Sequence, residues 1–465
     1  MTSLAAGSLP RVRTAPLVLL LLAAVVGALV VVKPFYAVAL VLGAAVVVVI
    51  ARDADALPLV LVATMFTESL SLGPALRVGR LAGVLAIAVL AYSLLMHLRP
   101  QLRWNPLVAL ALGYGLWMAI SLYWASDTHW VLTELDSWGL AMAYMLTFAL
   151  LVRTPQQLTS VLTTLSLGSF VFGLVSFVTY ASSNDTARGD GLQGDPNYFA
   201  VYQTIALPAT LTLAATARRP AVRALLYGVV GVIVLSVVSS LSRGGLIALG
   251  VVVLSTIVLP WRTFFRRRSQ KASYVGFLAL AVAAAVALGS TSFVARAQTI
   301  IHPSDRGSGR TDLWNATWNA YTHHPWLGIG EGNFRAESLQ WLAATPGVDL
   351  AAPWINSGKE VHNAYLETLT ELGPVGIALF GGVILGTFWF CVRSYRRARA
   401  HGHELLQRYS LAVAVGLLGY VIGAIFLSNE LSKALWVLVG IALALDAMTR
   451  RLVRPEPTPR PNERP

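Results

Sequence analysis

The chain has 465 residues, 56% hydrophobic and 12% charged, with a mean hydropathy of +0.65 and a net charge of +13. Soluble domains carry roughly 25% charged residues, so the composition excludes a string of about three soluble domains and points to a membrane protein. Lys and Arg fall mainly in short links between apolar runs, the pattern of the positive-inside rule, so nucleic acid is not expected as a partner.

In chain order, Arg11 and Arg13 precede an apolar stretch from Pro16 to Val32, and a second run starts at Phe35. This reads as an uncleaved first span, not a signal peptide. Apolar runs predict spans near 15–32, 35–51, 57–67, 81–97, 104–124, 137–152, 157–180, 197–217, 221–241, 244–260, 274–292, 363–392, 409–428 and 431–449, the third being short. The expected fold is an all-α polytopic bundle of about 12–14 transmembrane helices. It divides into an N-terminal bundle (1–292), a large hydrophilic loop (293–361), C-terminal helices (362–449) and a Pro-rich disordered tail (450–465). A cytoplasmic N-terminus places most of the Lys and Arg inside, puts the C-terminus on the same side, and leaves the large loop on the outer face. Cys391, the single cysteine, lies in an apolar run and reads as a small buried hydrophobe.

Unusual residues collect on that outer face. Arg188-Gly-Asp-Gly-Leu-Gln-Gly-Asp195-Pro-Asn197 leads into a span; Asp-Pro-Asn is helix-start chemistry, and polar groups at a span mouth equally suit a substrate path. Arg243 lies in Leu-Ser-Arg-Gly244-Gly245, in a link too short to be a loop. Two roles fit it: an interfacial arginine reaching for water, or an anion site in which the guanidinium and the free amides of the next helix meet a phosphate. Within the large loop Arg310, Trp314, Trp318 and Tyr321 recur at helical spacing. Such a face suits a membrane-interface helix or a sugar-stacking surface with a phosphate clamp at its N-terminal end. In His323-His-Pro-Trp-Leu-Gly328-Ile-Gly330-Glu-Gly332-Asn-Phe the glycines read as turns with positive φ, not a nucleotide loop.

The loop closes on Val361-His362-Asn363-Ala-Tyr365-Leu-Glu367-Thr-Leu-Thr-Glu371-Leu-Gly373-Pro374, where Gly-Pro predicts a helix stop and His362 stands at a helix start. The positive end of the helix dipole is expected to hold its imidazole neutral, as a general base or hydrogen-bonding electrophile requires. No His, Cys, Asp or Glu spacing suggests a metal site, so metal-free chemistry without a cofactor is expected.

Taken in order, Ser242-Arg243-Gly244-Gly245, Gly309-Arg310 with Trp314, Pro325 to Gly330, and His362-Asn363 with Tyr365-Leu366-Glu367 and Gly373 resemble the O-antigen ligase and polymerase superfamily over about 190–376. The resemblance implies a fold related to membrane glycosyltransferases of the GT-C type, with about twelve spans, acting without metal on glycans linked to polyprenyl (undecaprenyl) diphosphate. It implies that Arg243 and Arg310, with Gly244 and Gly245, bind the donor diphosphate, and that His362 activates or positions the acceptor hydroxyl. Candidate substrate-lining residues are Arg188, Asp195, Asn197, Trp314, Trp318, Asn363 and Tyr365. Expected partners are the lipid-linked glycan, an acceptor glycan or glycolipid and membrane lipids, at a bacterial inner membrane. A repeat-unit polymerase with the same site, and a lipid-linked-glycan flippase, are the alternative readings.

Overall fold

The computed structural model describes residues 50, 53–67, 78–95, 105–183, 188–287, 309–350, 352, 355 and 358–453. The expected spans 15–32 and 35–51 (Ile50 aside), the loop residues Arg296 and Arg306, and the end of the tail lie outside them. One compact unit is Leu57–Pro465; of the preceding unit, Met1–Ala56, the described part comprises Ile50, Asp53 and the single turn Ala54–Ala56.

Within the larger unit the described residues form fourteen α-helices and no strand. They are α1 (Leu57–Thr64), α2 (Val78–Leu95), α3 (Pro106–Ile120), α4 (Thr128–Leu151), α5 (Pro155–Ser182), α6 (Pro196–Thr216), α7 (Pro220–Ser239), α8 (Arg243–Val258), α9 (Arg268–Ala287), α10 (Arg310–His323), α11 (Asn333–Ala343), α12 (Ala364–Ala400), α13 (Glu404–Gly423) and α14 (Lys433–Val453). Six among them are long and apolar enough to cross a membrane: α5, α6, α7, α12, α3 with its following 3-10 turn, and α13 with its own. The chain is therefore an all-α, multi-pass membrane protein. The predicted span 57–67 is a helix of only eight residues, too short at about 1.5 Å per residue to cross a bilayer. Helix α4 starts at Thr128, not near 137, because the Asp127 side chain caps it through the amide of His129 (2.9 Å) and the helix runs on through Glu134 and Asp136.

Helix α6 is the centre: 94% of its most apolar 18-residue window is buried, and α5, α7, α8 and α13 surround it. Its threonine hydroxyls are satisfied within the helix, Thr210 donating to the carbonyl of Ala206 and Thr212 to that of Pro208, each at 2.9 Å. A polar residue so bonded is cheap to bury in an apolar bundle. Gly416, Gly419 and Gly423 let α13 approach this core closely, since a Cβ on any of them would stand within 3.2 Å of Ile205, Val252 or Val201 respectively. Helix α12 packs on α3, α13 and α14 and is broken at Gly373 (φ 65°, ψ −166°). The freed carbonyl of Leu372 accepts a 2.8 Å bond from Trp117 Nε1. At the far end of α12 the buried Asp446 carboxylate of α14 gathers Arg393, Arg397 and Arg450, an ion cluster opposite to the end described next.

Candidate active site

Two hydrogen-bonded clusters meet at the end of the bundle where α6, α8, α10 and α12 all begin. In the first, Asp195 caps α6 by accepting from the amides of Asn197 (2.6 Å) and Tyr198 (3.3 Å), which frees the Asn197 side chain to reach the neighbouring turn. Asn197 Oδ1 accepts from Ser242 Oγ at 2.8 Å and from Arg188 Nη2 at 3.0 Å, while Arg188 Nε donates to the carbonyl of Ser240 at 3.0 Å. Ser242 in turn caps α8 through the amide of Gly245 (3.1 Å), so Arg243 stands as the first residue of that helix, with its side chain buried. The preceding Leu241 has φ 50°, the sharp turn that swings α7 into α8. Gly244 and Gly245 serve close approach as well: a Cβ would stand 2.7 Å from Phe426 at the first and 2.4 Å from Ala200 at the second.

The second cluster holds the large loop against α12. Helices α10 and α11 enclose an apolar core of Leu313, Ala316, Ile329, Phe334, Leu342 and Val361. Gly328, Gly330 and Gly332 all have positive φ, as the sequence predicts. The loop lies on the α12 break through Ile329 N–H to the Thr370 carbonyl (3.0 Å) and Gly330 N–H to the Glu371 carbonyl (2.9 Å). The Glu371 carboxylate caps α11, accepting from the amides of Gly332 (2.8 Å) and Phe334 (2.9 Å).

These supports deliver His362. Asn363 caps α12 through the amides of Tyr365 and Leu366 (both 3.1 Å), and Trp314 Nε1 donates to the carbonyl of Val361 (3.2 Å). His362 itself has φ 55°, a conformation seldom taken by a side-chain-bearing residue. Its amide donates to Ser428 Oγ (2.9 Å) and its Nδ1 is buried without a hydrogen-bond partner among the described residues. Burial first and the Arg310 guanidinium second push its pKa down to about 4; Asp195 opposes them, and the Lys359 ammonium adds a lesser push downward. The imidazole is therefore neutral at physiological pH, in the direction expected, but through burial and Arg310 and not chiefly through the helix dipole.

Arg310, Asp195 and Lys359 thus lie near enough to His362 to bias its charge, after burial. The Arg243 turn lies against the segment that holds the His362 amide, since Gly244 packs on Phe426, two residues before Ser428. Not every predicted residue faces this centre. Tyr365 turns into the bundle, its hydroxyl donating to the Val421 carbonyl at 2.8 Å, and Trp318 stands exposed beside Tyr321 with ring centroids 5.2 Å apart. Sequence reasoning gave no role to Tyr198, whose hydroxyl donates to the Ser428 carbonyl, although it follows directly on Asp195-Pro196-Asn197, and it missed Ser428, which lies in no motif with chemical character of its own. Among the described residues no three His, Cys, Asp or Glu side chains are grouped to hold a metal ion.

A comparison with curated proteins finds no match. Residues 228–381, from α7 through the break of α12, match the family model described as O-Antigen ligase, and the stretch covers Arg243, Arg310 and His362. Over this stretch the chain is therefore similar to the O-antigen ligase family.

Proposed function

We propose that this protein transfers a glycan from a polyprenyl diphosphate carrier to an acceptor sugar hydroxyl, on the outer face of a bacterial inner membrane. The observation that carries this reading is the convergence of Arg310, the neutral His362 and the Arg243 turn at one end of the bundle. In the proposed step the acceptor oxygen attacks the anomeric carbon, the bond from that carbon to the diphosphate oxygen breaks, and the departing diphosphate keeps the electron pair. The acceptor proton passes to the His362 imidazole, and attack from the face opposite the leaving group inverts the anomeric centre.

Arg243 and Arg310 suit the leaving group because a guanidinium stays charged and pairs bidentately with phosphate oxygens, so stabilisation needs no resident metal. In the free protein the positive charge of Arg310 opposes protonation of His362. A diphosphate seated against Arg310 cancels that charge and raises the basicity of the imidazole when the donor is in place. The amides at the start of α8 add donors to the same anion, that of Gly245 being already taken by Ser242. Arg188, Asp195 and Asn197 belong to the framework of this site and flank the path to it.

The test is the envelope glycan profile of a deletion strain complemented with wild type, Arg310→Ala or His362→Ala. Glycan accumulating on its carrier while acceptors stay bare identifies a ligase; acceptors bearing single repeats identify a polymerase. Both mutants restoring the wild-type profile would overturn the site.

A further inference from the structure

The turn between α13 and α14, Leu427 to Ser432, carries no recognisable motif, yet it touches both halves of the site. Ser428 is its node. Its hydroxyl accepts from the His362 amide at 2.9 Å and lies near the Glu367 carboxylate. Its carbonyl accepts from Tyr198, the residue after Asn197. The adjacent Leu427 carbonyl accepts from the Ala364 amide at 2.8 Å.

The segment it grips is the unusual one. His362 has φ 55°, which an L residue keeps only where neighbouring contacts over-determine it. The contacts on its two sides are the Trp314 bond to Val361 and the Ala364 bond to Leu427, and the one on His362 itself is to Ser428. Without the Ser428 hydroxyl the His362 amide loses its acceptor, and the backbone gains by rotating to an ordinary conformation. That rotation changes the position of the imidazole relative to Arg310, Asp195 and Lys359, the charged groups that act on it.

We propose that Ser428 is a positioning residue, which fixes His362 in its left-handed turn and, through Tyr198 and Asn197, sets the spacing between His362 and the Arg243 turn. The importance of that spacing for turnover rests on the glycosyl-transfer reading above; the positioning itself does not.

The experiment uses the full chain purified in detergent, treated with diethyl pyrocarbonate across the imidazole titration range, with modification of His362 resolved by mass spectrometry. Wild type should show a reactivity midpoint near 4. Ser428→Ala should move it up toward the ordinary value of about 6.5, and Ser428→Thr, which keeps the hydroxyl, should bring it back down. In cells Ser428→Ala should cut glycan transfer about 100-fold, the scale of an ångström-level misplacement, with Ser428→Thr recovering at least about tenfold. If Ser428→Ala does not accumulate as a monodisperse protein, Tyr198→Phe carries the same test, because it removes the bond that holds the Ser428 carbonyl. A midpoint and a transfer level unchanged from wild type would overturn the proposal. If His362→Ala transfers glycan normally, the glycosyl-transfer reading falls, while the reactivity midpoint still decides the role of Ser428.

Discussion

Asn197 at the start of α6 accepts a 2.8 Å hydrogen bond from Ser242 at the start of α8, two residues 45 positions apart in the chain. The same oxygen holds Arg188 at 3.0 Å, so a single amide group keeps two helix starts and an arginine in register. Asn197→Ala should therefore lower glycan transfer in the complementation assay by about 10-fold or more through displacement of the Arg243 turn, while leaving expression near wild type. Asn197→Asp keeps both acceptor sites and should retain most of the function; equal loss in both variants would argue against a hydrogen-bonding role.

The proposed diphosphate clamp makes a sharper demand on the arginines. Arg310→Ala or Arg243→Ala should each reduce transfer by roughly 10²–10³, the scale of losing one transition-state donor. Lysine at either position keeps charge but not the bidentate fork and should recover only part of that loss. Full activity in Arg310→Lys would show that charge alone suffices.

Because Arg310 is the second cause of the low pKa of His362, after burial, Arg310→Gln should raise the titration midpoint of His362 from about 4. The stability sign follows from the same shift. An unfolded chain takes up the imidazole proton near pH 6.5 and the folded one only near 4, so folded-state stability conferred by this group is present above about 6.5 and is lost as pH falls toward 4. Melting of the detergent-solubilised protein should show acid destabilisation in that window, reduced in His362→Gln. An identical pH profile in that variant would remove His362 as the cause.

Glu331 offers the opposite sign. Burial, followed by the nearby Glu430 carboxylate, holds its pKa well above 4.5. The folded state is thus penalised once pH rises above the unfolded value, when the unfolded chain loses the proton first. Glu331→Gln, which is neutral at every pH, should raise the thermal midpoint relative to wild type at pH 8 and lose that advantage near pH 4. A constant difference between the two proteins across pH would contradict the assignment.

At the α12 break the mechanical consequence is direct. A Cβ on Gly373 would stand 2.3 Å from the Trp326 carbonyl, and its φ of 65° disfavours any side chain, so Gly373→Ala should displace the 326–334 turn. Glu371→Ala removes the acceptor of two α11 amides and should cost about 2 kcal/mol. Limited proteolysis should show cleavage between Trp326 and Phe334 rising in both variants; unchanged protection would mean the loop is held otherwise.

What the sequence by itself determined is what local chemistry encodes. Apolar runs marked the helices because burial in lipid is a property of each segment, Asp195-Pro196-Asn197 marked a helix start, and Gly373-Pro374 marked a break. The glycines of the large loop announced their positive φ, and the order of Arg243, Arg310 and His362 carried the family resemblance. Local signals also misled at α1, where the helix ends after eight residues although the apolar run goes on, and at α4, where two acidic residues mask nine further residues of helix. Only the tertiary structure decided which polar groups meet. The Arg310 charge acts on His362, Ser242 reaches Asn197, and Ser428 grips the His362 amide 66 residues away because folded helices bring their ends together, and interactions between distant residues leave no periodicity in the sequence. Serine 428 is the clearest case: a hydroxyl in a short turn has no signature of its own, and its role comes entirely from what the fold places beside it.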